Sequence, residues 1–287
     1  LLIKGQDNFH AEKEAVCDAG LRSSPWQHTD TTSTRVDGVN QNCHIVCNPL
    51  YTIYSTTLRK DRLSVLDVLR GGAPRVFRLN DEALGYLLGV PLSKAIREVL
   101  ESWRSDQDLD EQTFVNRLDM QWPNLSTQRR QAILGAAAVA AYHAQEDLPI
   151  VRLLVCDDAP QYNWLTEEMS LCWVHAGRHY KKLSPIVANH RELVTGFLKQ
   201  FWDLYDQLLA YCQRPTPEES ERLEAEFDGL FATRSMYNAL DARIAKTREN
   251  KAALLMVLKH PEIPLHNNPA ELEARRRVRK RDVSFGP

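Results

Sequence analysis

The alternation of apolar and polar positions divides this chain into a strand-rich beginning, one central buried strand and two helical blocks. From Asp7 to Ala19 helix formers and charge mix, and Gly20 reads as a helix stop. The next segments are β-prone: Trp26–Ser33, Asn42–Cys47 and Leu50–Thr57, with turn signals at Asp37-Gly38 and Asn48-Pro49. Three strands joined by tight turns predict an antiparallel meander. Arg62–Leu69 is a short amphipathic helix closed by Gly71-Gly72. Asp81 to Gln145 reads as helical, with Ile96, Val99, Leu100 and Trp103 at helical spacing and an Ala-rich stretch from Arg129 to His143. Ile150–Cys156 then forms a continuous apolar, β-branched run, the mark of a strand buried on both faces. A second such segment covers Met169–Val174, with a fifth strand expected at Leu171–Val174.

Beyond Pro185 the pattern is helical again. Val187–Cys212 is one long amphipathic helix, and Pro215–Ala232 opens on Thr216-Pro217-Glu218-Glu219, a strong N-terminal signature. Met236–His260 predicts a third helix, broken by Pro261 and Pro264. A last helix starts at Asn267-Asn268-Pro269-Ala270-Glu271, with a side-chain cap and Pro in its first turn.

A hydrophobic content of 43% is enough to bury a core and excludes a disordered chain. Thirty-six Lys and Arg against 38 Asp and Glu give a net charge of -2, which at face value argues against a wholly basic nucleic-acid binder. That average conceals unlike parts: an acidic stretch at Glu218–Asp228 offsets a basic run at the C-terminal end. Six cysteines without a dense framework point to a reducing cytosol and buried thiols. The apolar stretch Ala132–Ala141 is too short to span a bilayer, and Leu-Leu-Ile-Lys at the start is no signal peptide. Both ends read as cut from a longer protein.

Three acids draw chemical interest. Asp30 lies mid-strand among Thr29, Thr31 and Thr32; Asp157 ends the most buried strand, where ligands gather in α/β sheets; Glu271 sits in the first turn of a helix. Each alone has a bland reading, as a turn residue or as dipole compensation, and spacing alone does not join them. Their flanks do. His-Thr-Asp-Thr-Thr surrounds Asp30 and Leu-Leu-Val-Cys-Asp-Asp-Ala-Pro-Gln-Tyr surrounds Asp157. Cys-Trp-Val-His-Ala-Gly-Arg-His-Tyr starts at Cys172, and Asn-Asn-Pro-Ala-Glu ends at Glu271 ahead of a basic stretch. In that order, over nearly the whole chain, these pieces resemble the DDE transposases of the sixty-sixth insertion-sequence family of bacteria. Its members carry His-Ala-Asp-Glu-Thr, Ser-Asp-Gly…Tyr, Cys-Trp-Ala-His-Ala-Arg-Arg and Asn-Asn-x-x-Glu-Arg.

The resemblance implies an α/β fold: a ribonuclease H-like mixed five-stranded sheet flanked by helices, with two large helical insertions. The chain then divides into core at 1–72, insertion at 73–145, core with the second Asp at 146–186, insertion at 187–260, and a core helix with Glu and the basic run at 261–287. It also implies that Asp30, Asp157 and Glu271 are catalytic and hold two Mg²⁺ (or Mn²⁺) ions. Converging carboxylates repel unless cations bridge them, and hard cations prefer oxygen ligands. Two ions about 4 Å apart can activate a water or 3′-hydroxyl for in-line attack at phosphorus. Relatives place the second acid five residues before an aromatic, which favours Asp157, ahead of Tyr162, over its neighbour Asp158.

Cys172-x-x-His175 invites a zinc reading with Cys43 and Cys47, but buried strand thiols are the simpler account. By resemblance His175 lies near the active site, contacting DNA or orienting an acid. Trp202, Tyr205 and Tyr211 suit base stacking, although a core stripe with Phe197 and Phe201 fits the helical spacing better. Arg275, Arg276, Arg277, Arg279, Lys280 and Arg281 follow the third acid closely and are candidates for DNA-backbone contact, with Lys4, Arg59, Lys60 and Arg62 as further candidates.

The function expected is the catalytic domain of a DNA transposase, performing metal-dependent strand cleavage and strand transfer. Its partners would be transposon-end and target DNA, further copies of the chain and accessory proteins of the mobile element, with no membrane. The setting would be a bacterial cytoplasm and, when acting, the nucleoid. In relatives a DNA-recognition region precedes this core. Two rivals use the same core: a metal nuclease limited to hydrolysis, and a domesticated, non-catalytic DNA-binding scaffold.

Overall fold

A computed structural model of the chain describes residues 6–284, with side chains over 7–279. Helix α1 (Gln6–Arg22) leads into the meander β1 (Trp26–Val36), β2 (Val39–Asn48) and β3 (Tyr51–Thr57). Gly20 does not stop α1, which continues to Arg22. The glycine answers a packing need, since a Cβ there would stand 2.3 Å from the Tyr51 ring. Asp37 and Gly38 turn the first hairpin with positive φ, as their dipeptide predicts.

Next come α2 (Arg62–Leu69), capped by the Asp61 carboxylate, and a segment carrying β4 (Val76–Phe77), α3 (Asp81–Leu87), α4 (Lys94–Ser102), β5 (Leu109–Asp110), α5 (Glu111–Gln121) and α6 (Thr127–His143). This region, expected to be helical throughout, therefore contains a small antiparallel ladder, Val76 to Asp110 and Phe77 to Leu109. Helix α6 is buried around most of its circumference from Gly135 to Tyr142, which its small residues permit. The Tyr142 hydroxyl accepts from Val151 N–H at 2.9 Å and donates to the Pro149 carbonyl at 3.1 Å, clamping the approach to the central strand.

Strands β6 (Leu153–Cys156) and β7 (Glu168–Leu171) complete a five-stranded mixed sheet of order β3-β2-β1-β6-β7. The meander is antiparallel, while β1–β6 and β6–β7 are parallel. The fifth strand thus lies earlier than Leu171–Val174. Trp173 already begins α7 (Trp173–Lys181), because Cys172 caps that helix, its Sγ accepting from His175 N–H at 3.3 Å.

The long α8 (Ala188–Gln213) and α9 (Pro217–Phe231) follow closely the helices expected there. The third is broken into α10 (Asn238–Glu249), α11 (Lys251–Leu254) and α12 (Met256–Lys259), and α13 (Asn268–Ser284) closes the fold. Trp202, Tyr205 and Tyr211 belong to the aromatic core: Trp202 packs on Phe201, Tyr205 on Trp173, and buried Tyr211 donates to the Leu258 carbonyl at 3.0 Å. Trp173 is fully buried and donates its ring N–H to the Leu254 carbonyl at 2.7 Å, while its backbone N–H meets the Leu265 carbonyl at 2.9 Å.

The two sheet faces differ. Val46 joins the large core shared with α2 and α6, whereas Ile45 and Cys47 face a small cluster with Ala270 and Ala274 of α13. That second face carries the site. Among the described residues no helix is long and apolar enough to cross a membrane.

Candidate active site

Parallel pairing sets the first two acids. Trp26, Gln27 and His28 of β1 stand opposite Leu153, Leu154 and Val155 of β6. Continued in step, this register brings Asp157, just past the end of β6, level with Asp30. In a parallel pair, residues at one level project to the same face. Asp30 is paired across β2 with Ile45, whose side chain lies under α13, so this face receives the third acid.

Helix α13 is fixed at its first residues. The side chain of Asn267, just ahead of the helix, reaches β1. Its amide nitrogen donates to the Thr29 carbonyl at 2.7 Å and its oxygen lies 2.9 Å from His28 Nδ1. Since Thr29 offers only an acceptor, the oxygen must face His28, whose Nδ1 therefore carries the proton. Burial pushes His28 down to about 4, keeping the ring neutral in spite of the Asn267 bond. The Asn267 N–H also donates to Cys172 Sγ at 3.3 Å, so one residue joins α13, β1 and the start of α7.

Asp30, Asp157 and Glu271 line one open cavity of about 430 Å³, together with Thr31, Thr32, His175, Arg178, Arg275 and Arg279. Asp30 is pushed up to about 6, first by burial, with Asp157 and Glu271 adding to the shift and the Thr31 N–H at 2.7 Å opposing it. Asp157 accepts from Ala159 N–H at 3.1 Å. Glu271 is held by Arg178 through two bonds, 2.9 Å to Oε1 and 2.7 Å to Oε2. Behind Asp30, on the opposite face, the Thr31 hydroxyl meets both Tyr162 and His44 at 3.1 Å, pinning the turn after Asp157 to β1.

Asp158 faces elsewhere. It lies 3.4 Å from His175, 3.7 Å from His179 and 4.0 Å from Arg243. His175 first, then His179 and Arg243, hold its carboxyl at about 2 against the effect of burial.

The basic residues divide. Arg275 and Arg279 line the cavity, and Arg275 also lies 3.5 Å from Glu271. Arg276 points away and pairs with Glu273, and Arg277 reaches the Cys43 thiol on β2. Lys280, Arg281 and Lys4 fall outside the described side chains. Arg62 is no free cation: it donates to the Asn163 and Pro160 carbonyls and stacks 4.0 Å from the Trp164 ring centre. All six cysteines are free and five are buried. Arg178, His28, Asn267 and His179 were not singled out by their sequence. The one available signal was their position inside the quoted motifs.

Residues 136–286, just over half of the chain, match the Transposase IS66 family, and the chain belongs to that family. The match includes Asp157, His175 and Glu271 and begins after Asp30. The chain is also 29% identical over 268 residues to the uncharacterized protein y4jO of Sinorhizobium fredii (strain NBRC 101917 / NGR234), covering 93% of this chain and 83% of that protein. No solved structure matches.

Proposed function

We propose that this chain is the catalytic part of a DDE transposase, which cuts DNA strands at a mobile element's ends and joins them to a target. In this reading the five-stranded sheet is a ribonuclease H-like core, interrupted by helical insertions at 73–145 and 187–260. One observation carries the proposal: Asp30, Asp157 and Glu271, far apart in sequence, line the same open cavity.

The donor set fits hard divalent cations. It is all oxygen, and Asp157 and Glu271 add a repulsion to the upward shift that burial gives Asp30, a repulsion that a bound cation would relieve. Asp30 and Asp157 would hold one Mg²⁺ or Mn²⁺ between them, and Glu271 would help hold a second. When bound, such ions supply an activated water or 3′-hydroxyl and stabilise the leaving oxygen at phosphorus. Arg275 and Arg279 would neutralise the phosphodiester entering the cavity. Arg178, now on Glu271, would turn to a phosphate oxygen once Glu271 is engaged. Thr31 and Tyr162 keep Asp157 and Asp30 in register.

The test is strand transfer of a pre-cut 3′ end into plasmid DNA with Mn²⁺. Asp30→Asn, Asp157→Asn and Glu271→Gln should each abolish joining while leaving the circular dichroism spectrum intact. Cleavage without joining by the wild type would favour the hydrolytic nuclease. Full activity in Asp157→Asn, with loss only in Asp158→Asn, would reassign the second acid.

A further inference from the structure

Beside the acidic cavity lies a second cluster of different chemistry, and we propose that Asp158, His175 and His179 form a zinc-binding site. Nothing in the two-metal reading requires it, and it stands whether or not that reading survives.

His175 and His179 are one helical turn apart on α7, the spacing that sets two imidazoles on one face. Their rings lie 5.0 Å apart, nearly perpendicular. Asp158 comes from the turn after β6 and completes the group, one ligand atom from each residue lying within 4.8 Å of the others. The separations are diagnostic. Asp158 Oδ1 stands 3.4 Å from His175 Nε2 and 3.7 Å from His179 Nε2. Such gaps exceed a good hydrogen bond. The edge of a tetrahedron whose centre is about 2.0–2.1 Å from each corner is roughly 3.3–3.4 Å, which the His175 separation meets and the His179 separation exceeds by about 0.3 Å. Direct pairing leaves the cluster unsatisfied: His179 Nε2 is buried without a hydrogen-bond partner.

The surroundings suit a metal site of three protein ligands with one position left to water. Arg243 lies 4.0 Å from the other Asp158 oxygen, Oδ2, so it can steady the carboxylate while Oδ1 remains the shared corner. Cys172 Sγ already accepts from two backbone N–H groups and is not a ligand. The three side chains are each part exposed, at 27–29%, so a water can reach the fourth position from solvent. Two imidazoles and one carboxylate favour zinc over Mg²⁺, which separates this site chemically from the all-oxygen triad. Its place in the fold gives it a role: it would tie the turn bearing Asp157 to the helix bearing Arg178.

The full chain should be loaded with Zn²⁺, dialysed and analysed for bound metal. One zinc per chain is expected, retained in an Asp30→Asn/Glu271→Gln variant. His179→Ala should weaken zinc binding by roughly a hundredfold or more, beyond the ten- to hundredfold cost of losing an outer-shell partner. His179→Cys, which restores a zinc ligand, should recover binding, so a folding defect can be told apart. Co²⁺ substitution of the wild type should give the visible spectrum of a four-coordinate ion without a thiolate charge-transfer band. Absence of stoichiometric zinc, wild-type affinity in His179→Ala, or loss of zinc in the triad variant would overturn the proposal.

Discussion

Arg178 grips both carboxylate oxygens of Glu271, at 2.9 and 2.7 Å, inside the cavity that also holds Asp30 and Asp157. The third acid is thereby neutralised by a side chain of the protein itself. A cation held there, as proposed, would have to compete with that fork. Replacing Arg178 by Gln is expected to tighten Mn²⁺ binding in the absence of DNA by about three- to tenfold, in line with a partly exposed ion pair. Titration calorimetry on the two proteins decides it. Equal or weaker binding would show that the fork does not restrain Glu271.

Asp30 links the site to stability. Its carboxyl is raised to about 6 from an ordinary value of 3.8, so the folded chain holds the proton more tightly than the unfolded one. The resulting penalty is absent below about pH 4, grows as pH rises to 6 and is complete above it. Two units correspond to about 3 kcal/mol at most. In EDTA at pH 8, Asp30→Asn should unfold at higher urea, by ~1–3 kcal/mol. Near pH 4 the gain should vanish. A variant no more stable than wild type at pH 8 would rule out a desolvated charge.

Asn267 bonds to two buried groups of β1, His28 and Thr29, and is itself 2% exposed. Asn267→Ala strands a ring N–H and a carbonyl, costing about 2–4 kcal/mol by denaturant unfolding. Cleavage should fall far more than stability accounts for, because Glu271 loses its anchor one turn away. Normal cleavage at temperatures where the variant remains folded would disprove the positioning role.

The basic run should prove uneven on DNA. Arg275 and Arg279 line the cavity and Arg276 pairs with Glu273. Converting Arg275 and Arg279 to Ala should flatten the plot of log affinity against log salt by roughly 1.8 for duplex DNA, about 0.9 for each lost phosphate contact. Arg276→Ala should leave the slope nearly unchanged, and filter binding over a salt series separates the two.

What the sequence made legible was local. The meander announced itself through alternating residues and an Asp-Gly turn, and the central strand through its apolar run, although Arg152 breaks that run and the strand begins only at Leu153. The fifth strand was misplaced because Leu171–Val174 is uniformly apolar, and a cysteine acting as a helix cap leaves no compositional trace. The helix expected at Met236–His260 is interrupted at Asn250 and Leu255, with no Gly or Pro to mark either break. The ladder between β4 and β5 is two residues long on each side, below what periodicity can register. At the site, the three acids were readable through their flanking motifs. Arg178 and Asn267 were not, because each acts on a residue brought near only by the tertiary fold.

The backbone bond from Trp173 to Leu265 closes the stretch between them into a loop that leaves the sheet after β7 and returns beside it. The helices α8 to α12 lie within that loop, and the bonds from the Trp173 ring to Leu254 and from His260 to Glu168 of β7 fasten them to the sheet at further points. Their packing is coupled to the turn after β6, where Arg243 of α10 stands 4.0 Å from Asp158. A displacement of α10 would therefore be felt at Asp158, the immediate neighbour of Asp157.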